Sequence, residues 1–195
     1  MDGVFPPAGA LLLDLAGFLA RADELWDSLG ERVVKLERRQ SYQEPGNPSY
    51  EALVAGDWDR AVELAAHTHD DDKATYDELR DKGVHFLRLR VVEPPTSEYV
   101  RWEFEHYRVT ARLGEDIRVV EQADIADLDR STGLSDFLLF DETAVLIHDY
   151  GTDGILCGGW LSCDPALIGR VAALVDSIIE VAEPFEDYLA RVPRE

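Results

Sequence analysis

The sequence predicts a single α/β domain: a mixed sheet with a central strand–helix–strand unit and a three-stranded meander, with helices packed on the sheet. Three observations carry that expectation. Two apolar strand-like segments, 84–92 and 117–121, flank an amphipathic stretch at 97–113, the pattern of two strands joined by a crossover helix. Three short apolar runs follow at 137–141, 144–149 and 155–163, separated by turn residues. A chain of 195 residues that is 46% hydrophobic can bury one substantial core and is too short to need two. The predicted division is an N-terminal helix over 1–31 and the α/β domain over 32–195.

Each element follows from local chemistry. Leu12, Leu15, Leu19, Ala22, Trp26 and Leu29 recur at steps of three and four, which predicts a helix over 8–29 stopped by Gly30. Residues 32–42 carry too many charges for a buried strand and suit a half-exposed one. EPGNPS at 44–49 is a loop, and Ser49 is placed to cap a helix that breaks at Gly56-Asp57 and resumes to Ala66. Asp72 caps a helix over 73–82, with Gly83 at its stop. VHFLRLRVV at 84–92 reads as an inner strand with Arg88 and Arg90 on the face of Phe86, near an exposed end. EPPT at 93–96 turns the chain, and Ser97 caps an aromatic-rich helix that Gly114 ends. A short helix is predicted over 123–128. Tight turns at 141–143 and 151–154 separate the meander strands. Asp164 and Pro165 open the last helix, which Pro184 ends or kinks.

Charge narrows the partners. With 40 acidic and 19 basic residues the formal charge is −21, and residues 1–80 and 81–195 are both strongly acidic, so no basic region hides behind the total. Binding of nucleic acid or of anionic lipid needs the opposite sign, so neither is expected. A basic protein partner fits the acidic exterior. The apolar run from Ala10 to Ala20 is interrupted by Asp14 and has no basic flank, so neither a signal peptide nor a membrane span is expected. Two cysteines, Cys157 and Cys163, make neither a disulfide framework nor a four-ligand zinc site, and a reduced, cytoplasmic protein with buried, inert thiols is expected.

Chemistry-bearing patterns are few. His67-Thr68-His69-Asp70-Asp71-Asp72 would place alternate metal ligands on one face if extended, but the plainer reading is a helix end, a polar loop and an Asp cap on the next helix, and no metal site is expected. No GxSxG, HExxH, GxGxxG or GxxxxGK[ST] pattern occurs, and no cofactor is expected. CGGW at 157–160 marks a bulge or a close backbone approach inside a strand. The best candidate ligand set is Arg88, Arg90, Tyr99, Arg101, Glu103 and Arg118, with Glu115 and Asp116 nearby and Asp141 in the following hairpin. Arginines at strand ends could hold a small anionic ligand, or join the carboxylates in a structural ion-pair network. Glu103 and Asp141 are the carboxylates that would serve as acid or base in an enzyme.

Residues 84–190 contain RLRVVEPPTSEYVRWEFEHY, GEDIRVV, LSDFLLFDETAVLIHDYGTDG and a DPAL helix ending EPFEDYL. This set resembles an uncharacterised family of small actinobacterial proteins with a similar SEYxRWE helix, GEDIR strand and DFxLFD hairpin, and a looser likeness extends over 32–190. The resemblance implies no known reaction. Such proteins are often encoded beside helix-turn-helix regulators, which implies a regulatory role. More distantly the segment resembles a degenerate half of the phospholipase D fold, shared by effector domains of some transcription regulators. If Asp141 matches the aspartate of that fold's His-x-Lys-x4-Asp motif, Leu134 stands at the histidine and Asp136 at the lysine. A leucine forms no phospho-enzyme and an aspartate repels phosphate, so the resemblance implies no phosphodiesterase chemistry. The resulting expectation is a non-catalytic regulatory or interaction protein, acting on a partner such as a helix-turn-helix regulator. The rivals are a small anionic-ligand sensor and an enzyme of specialised metabolism. The N-terminal helix is expected to cover the sheet or to form a homodimer contact.

Overall fold

The computed structural model describes residues 8–67 and 70–192. The chain forms β1 (Leu11–Asp14), α1 (Leu15–Asp27), β2 (Arg32–Glu37), α2 (Pro48–Val54), α3 (Trp58–Ala66) and α4 (Asp70–Lys82). It continues with β3 (His85–Val92), α5 (Glu98–Leu113), β4 (Asp116–Glu121), α6 (Ala126–Thr132), β5 (Phe137–Phe140) and β6 (Ala144–Asp149). Last come β7 (Gly158–Ser162), α7 (Pro165–Ile179), β8 (Glu183–Pro184) and α8 (Phe185–Arg191). Among the described residues the strands make one eight-stranded mixed sheet in the order β1-β7-β6-β5-β2-β3-β4-β8. The α/β class with a mixed sheet and covering helices is therefore the observed architecture. β2, β3 and β4 run parallel, and β5 joins β2 antiparallel to start the meander.

The two faces of the sheet differ in chemistry because side chains alternate along each strand. One face is apolar. Val34, Leu36, Leu87, Leu89, Val91, Val145 and Ile147 pack against Leu167, Val171, Leu174, Val175 and Ile178 of α7. That helix starts where Asp164 accepts from Ala166 N at 3.2 Å, with Pro165 in the first turn. The opposite face carries Lys35 and Glu37 on β2, in register with Arg88 and Arg90 on β3. α5 covers this side by burying Val100, Phe104 and Tyr107 with Val92, Ile117 and Val119. Ser97 caps α5 through Val100 N at 3.1 Å, and Gly114 ends it in a left-handed conformation.

Several expectations are corrected. Residues 11–14 form an edge strand, not the first turn of a helix, and Asp14 caps the shortened α1. Their strand geometry is set by β7, where Leu13 pairs with Gly159 and Asp14 with Gly158. Asn47 rather than Ser49 caps α2, because Pro48 takes the first helical position. α4 starts at Asp70, so Asp72 lies inside it instead of capping it. The strand predicted over 155–163 is confined to 158–162. α7 stops before Pro184, which instead belongs to a two-residue strand paired with β4. Arg90 is fully buried rather than near an exposed strand end. Cys157 and Cys163 are exposed, not buried.

The close-approach reading of CGGW has a structural counterpart. A Cβ on Gly159 would lie 1.9 Å from the Ile147 carbonyl oxygen and 2.9 Å from Phe18 Cε2. Backbone on the neighbouring strand cannot move aside cheaply, so Gly159→Ala is expected to destabilise the fold by about 2–3 kcal/mol. Urea unfolding checks this. A wild-type midpoint would show that β6 and β7 tolerate a wider spacing.

Candidate functional site

The polar face of the central strands is the floor of a cleft. A row of charges crosses it because β2 and β3 each place alternate charged residues on the same side. Arg88 donates from Nε to Glu115 and from Nη1 to Glu37, both at 2.7 Å. Lys35 Nζ lies 2.7 Å from the other Glu37 oxygen, and Tyr107 donates to Glu37 at 2.6 Å. Tyr76 of α4 donates to Glu115 at 2.7 Å. Asp136, next to β5, extends the row, accepting from Tyr42 and from Arg38 N.

A cavity of about 540 Å³ opens above this floor. α5 contributes Tyr99, Trp102, Glu103, His106 and Tyr107, and the segment after β2 contributes Tyr42, Gln43, Glu44 and Asn47. Tyr150 and Leu156 close the side next to the β6–β7 connection. Aromatic rings form a continuous wall: Tyr42–Tyr150 at 4.8 Å, Tyr42–Tyr99 at 5.6 Å and Tyr99–Trp102 at 5.2 Å between centroids. The Trp102 indole N–H is used internally, donating to Ser49 Oγ at 2.8 Å. Tyr99 donates to Glu44, whose second oxygen accepts from Asn47 Nδ2 at 2.7 Å.

The carboxylates of the cleft are not equivalent. Burial would raise Glu37, but Arg88, Lys35 and Arg90 outweigh it and hold the carboxyl well below its ordinary range. Glu103 is pushed up to about 7, first by burial and then by Glu37, with only partial relief from Arg90. The geometry is consistent with this. Glu103 Oε2 lies 2.8 Å from Arg90 Nε, yet neither atom has an aligned hydrogen-bond partner. Burial likewise raises Asp136, and lowers His148 to about 4.

The structure brings Arg88, Arg90, Tyr99 and Glu103 together and leaves the other candidates apart. Arg101 lies in a separate groove with Trp58, Arg108 and Arg191. Arg118 sits on β4 between Ile117 and Val119, which face the cleft side, and pairs with Asp116 at 3.3 Å. Asp141 accepts from the backbone N–H groups of Gly30, Glu31 and Arg32 at 2.8 Å each, tying the hairpin turn to the start of β2. Thr68 and His69 lie outside the described residues, so the His67–Asp72 set is not described as a unit. Among the described residues no group of His, Cys, Asp or Glu is arranged to hold a metal. Among the described residues no helix is long and apolar enough to cross a membrane.

Sequence reasoning missed Lys35, Glu37, Tyr42, Glu44, His106, Tyr107 and Tyr150 as cleft residues. One signal was available. Lys35-x-Glu37 and Arg88-x-Arg90 put complementary charges at the same two-residue spacing on two strands.

Comparison with known proteins gives a family and a fold. A family profile described as "Domain of unknown function (DUF6879)" matches residues 20–190. No curated protein matches the chain. Among solved structures, an archaeal chromatin protein, TrmBL2, described as showing a novel mode of DNA binding, is similar with a TM-score of 0.50 at 10% identity. The match covers 90% of this chain and 52% of that one, so this chain spans about half the length of its structural neighbour. At that identity the likeness concerns the fold alone.

The Glu103 environment predicts a pH effect on stability. A carboxyl raised in the folded state holds a proton that the unfolded chain releases. Its contribution is therefore greatest below about pH 4.5 and is lost as pH rises to about 7. Glu103→Gln removes that loss. The stability of the variant relative to wild type should rise by on the order of 2 kcal/mol between pH 5 and pH 8. Chemical denaturation across that range measures it, and a constant difference would refute the assignment.

Proposed function

The chain belongs to the DUF6879 family of domains of unknown function, and we propose that it is a binding module that takes a small ligand in the cleft beneath α5. The cleft itself carries the reading: about 540 Å³, walled by tyrosines and Trp102, with a few converging polar groups. That size and mixed lining are those of small-molecule sites in general. Residues from β2, α2, β3, α5 and the β6–β7 connection meet there, so occupancy would couple segments far apart in the chain.

In this proposal the role is regulatory and non-catalytic. The floor groups are engaged with one another: Arg88 with Glu37 and Glu115, and Lys35 with Glu37. Groups held in this way position and recognise more readily than they transfer protons. Asp141, one of the two acid–base candidates, is committed to three backbone donors.

A second reading is favoured by the formal charge of −21. The acidic exterior would hold a basic protein partner, and a helix-turn-helix regulator meets that description. Direct phosphate contact by this chain runs against its charge. The two readings combine if ligand occupancy alters the surface offered to the partner.

Thermal shift against a panel of small cationic, neutral and anionic compounds tests the first reading. Ligand binding to the folded state raises the melting temperature, and occupancy at about 100 Kd is worth about 2.7 kcal/mol. Leu156, half-buried in the cleft lining, supplies the control. Leu156→Trp should fill the cleft and remove any shift without lowering the unliganded melting temperature by more than a few degrees. A shift that survives Leu156→Trp would place binding elsewhere.

A further inference from the structure

Resting on the reading of the cleft as a ligand site, we propose that its ligand is a small organic cation, an ammonium or guanidinium group seated against the tyrosine wall between Glu103 and Glu44.

The distribution of unused bonding capacity supports a cation over an anion. The guanidinium of Arg88 donates to Glu115 and Glu37, and Lys35 contacts Glu37. Arg90 has no exposed surface and lies behind the cleft rather than lining it. An anion would find these cations already answered by carboxylates. Carboxylates outnumber cations in the lining itself: Glu37, Glu44 and Glu103 against Lys35 and Arg88, with Arg90 and Glu115 behind it and the Arg39 guanidinium 5.4 Å from the Tyr150 ring.

Two of these carboxylates are under-compensated. Glu44 accepts only from the uncharged donors Tyr99 and Asn47 among its side-chain bonds, and forms no ion pair among the described residues. Glu103 is more than nine-tenths buried: its Oε2 turns to Arg90 behind the cleft, 2.8 Å away but out of line for a hydrogen bond, while the side chain also lines the cleft. A buried acid in that position favours either a proton or a second cation. The tyrosine wall favours the cation, because ring faces attract ammonium and guanidinium groups.

The groups around Glu103 determine how pH enters. β2 presents Lys35 and Glu37, β3 presents Arg88 and Arg90, and the β6–β7 connection presents Tyr150. Its own helix presents Tyr99 and Tyr107, with His106 in the same lining. Tyr42 and Glu44 face Tyr99 from the segment after β2. Burial first, and then the Glu37 charge, raise Glu103 against the pull of Arg90, Arg88 and Lys35, so an incoming cation would favour the ionised carboxylate and displace a proton.

Titration calorimetry with three probes of one shape separates the possibilities: benzyltrimethylammonium, benzyl alcohol and phenylacetate. The cation should bind at least about tenfold tighter than the alcohol, and phenylacetate more weakly than either. Around pH 7, cation binding should release protons, measured in buffers of unequal ionisation enthalpy. Glu103→Gln should abolish the release and weaken the cation about fivefold or more, leaving benzyl alcohol unchanged. Glu44→Gln, outside the ion-pair floor, should also weaken the cation alone. Equal binding of alcohol and cation, or tighter binding of phenylacetate, would overturn the cation assignment and leave the cleft a ligand site. Failure of all three probes at 10 mM would overturn both.

Discussion

The Arg88 guanidinium lies between the Glu37 and Glu115 carboxylates, with the Tyr107 ring 4.7 Å from its centre. Its side chain is only 9% exposed, and those of its two partners are 7% and 0% exposed. Desolvating three charges is expensive, and the arrangement holds only while every member stays in place. Glu37 belongs to β2, Arg88 to β3, and Glu115 immediately precedes β4. The three parallel strands are therefore held in register by charge on one face as well as by apolar contact on the other. Tyr107 of α5 and Tyr76 of α4 reach into the same group, so the covering helices are fastened to it too.

This arrangement accounts for the cavity. An apolar sheet face draws its helix down until the side chains interdigitate, as α7 does over Val34, Leu36 and Leu89. The charged face cannot be packed in that manner, because each buried polar atom needs a partner in a fixed direction. Tyr107 of α5 reaches the floor, whereas Tyr99 and Trp102 turn to Glu44 and Ser49, and the space between remains open to one side. That side also carries two apolar clusters, one around Phe104 and one around Phe86, so the cleft is a local opening in a packed face.

The central part of this fold was legible in the sequence because its signals are local. Alternation at 84–92, the Ser97 cap, the Gly114 stop and the Asp164-Pro165 start all appear as read. β1 was not legible: Leu12, Leu15 and Leu19 continue a helical period, and only pairing with Gly158 and Gly159 makes Leu11–Asp14 extended. The cleft was partly legible. Tyr99 and Glu103 are one helical turn apart and face the same way, whereas Arg101, midway between them, points elsewhere, as helix geometry requires. Arg118 follows the same logic on a strand, out of phase with Ile117 and Val119. Tyr42 and Glu44 were missed because irregular segments carry no period, and Glu44 meets Tyr99 across 55 residues.

The two borders of the sheet are unlike. At one, β8 offers two residues, one of them a proline without an N–H, and α8 follows at once. At the other, β1 has no strand on its outer side among the described residues, and Leu11, Leu12, Leu15 and Leu19 are 40–65% exposed there. A sheet blunted at one margin and open at the other can extend only through the open one. Strand-to-strand association of identical copies would therefore close on itself as a two-fold pair and could not propagate into a fibre.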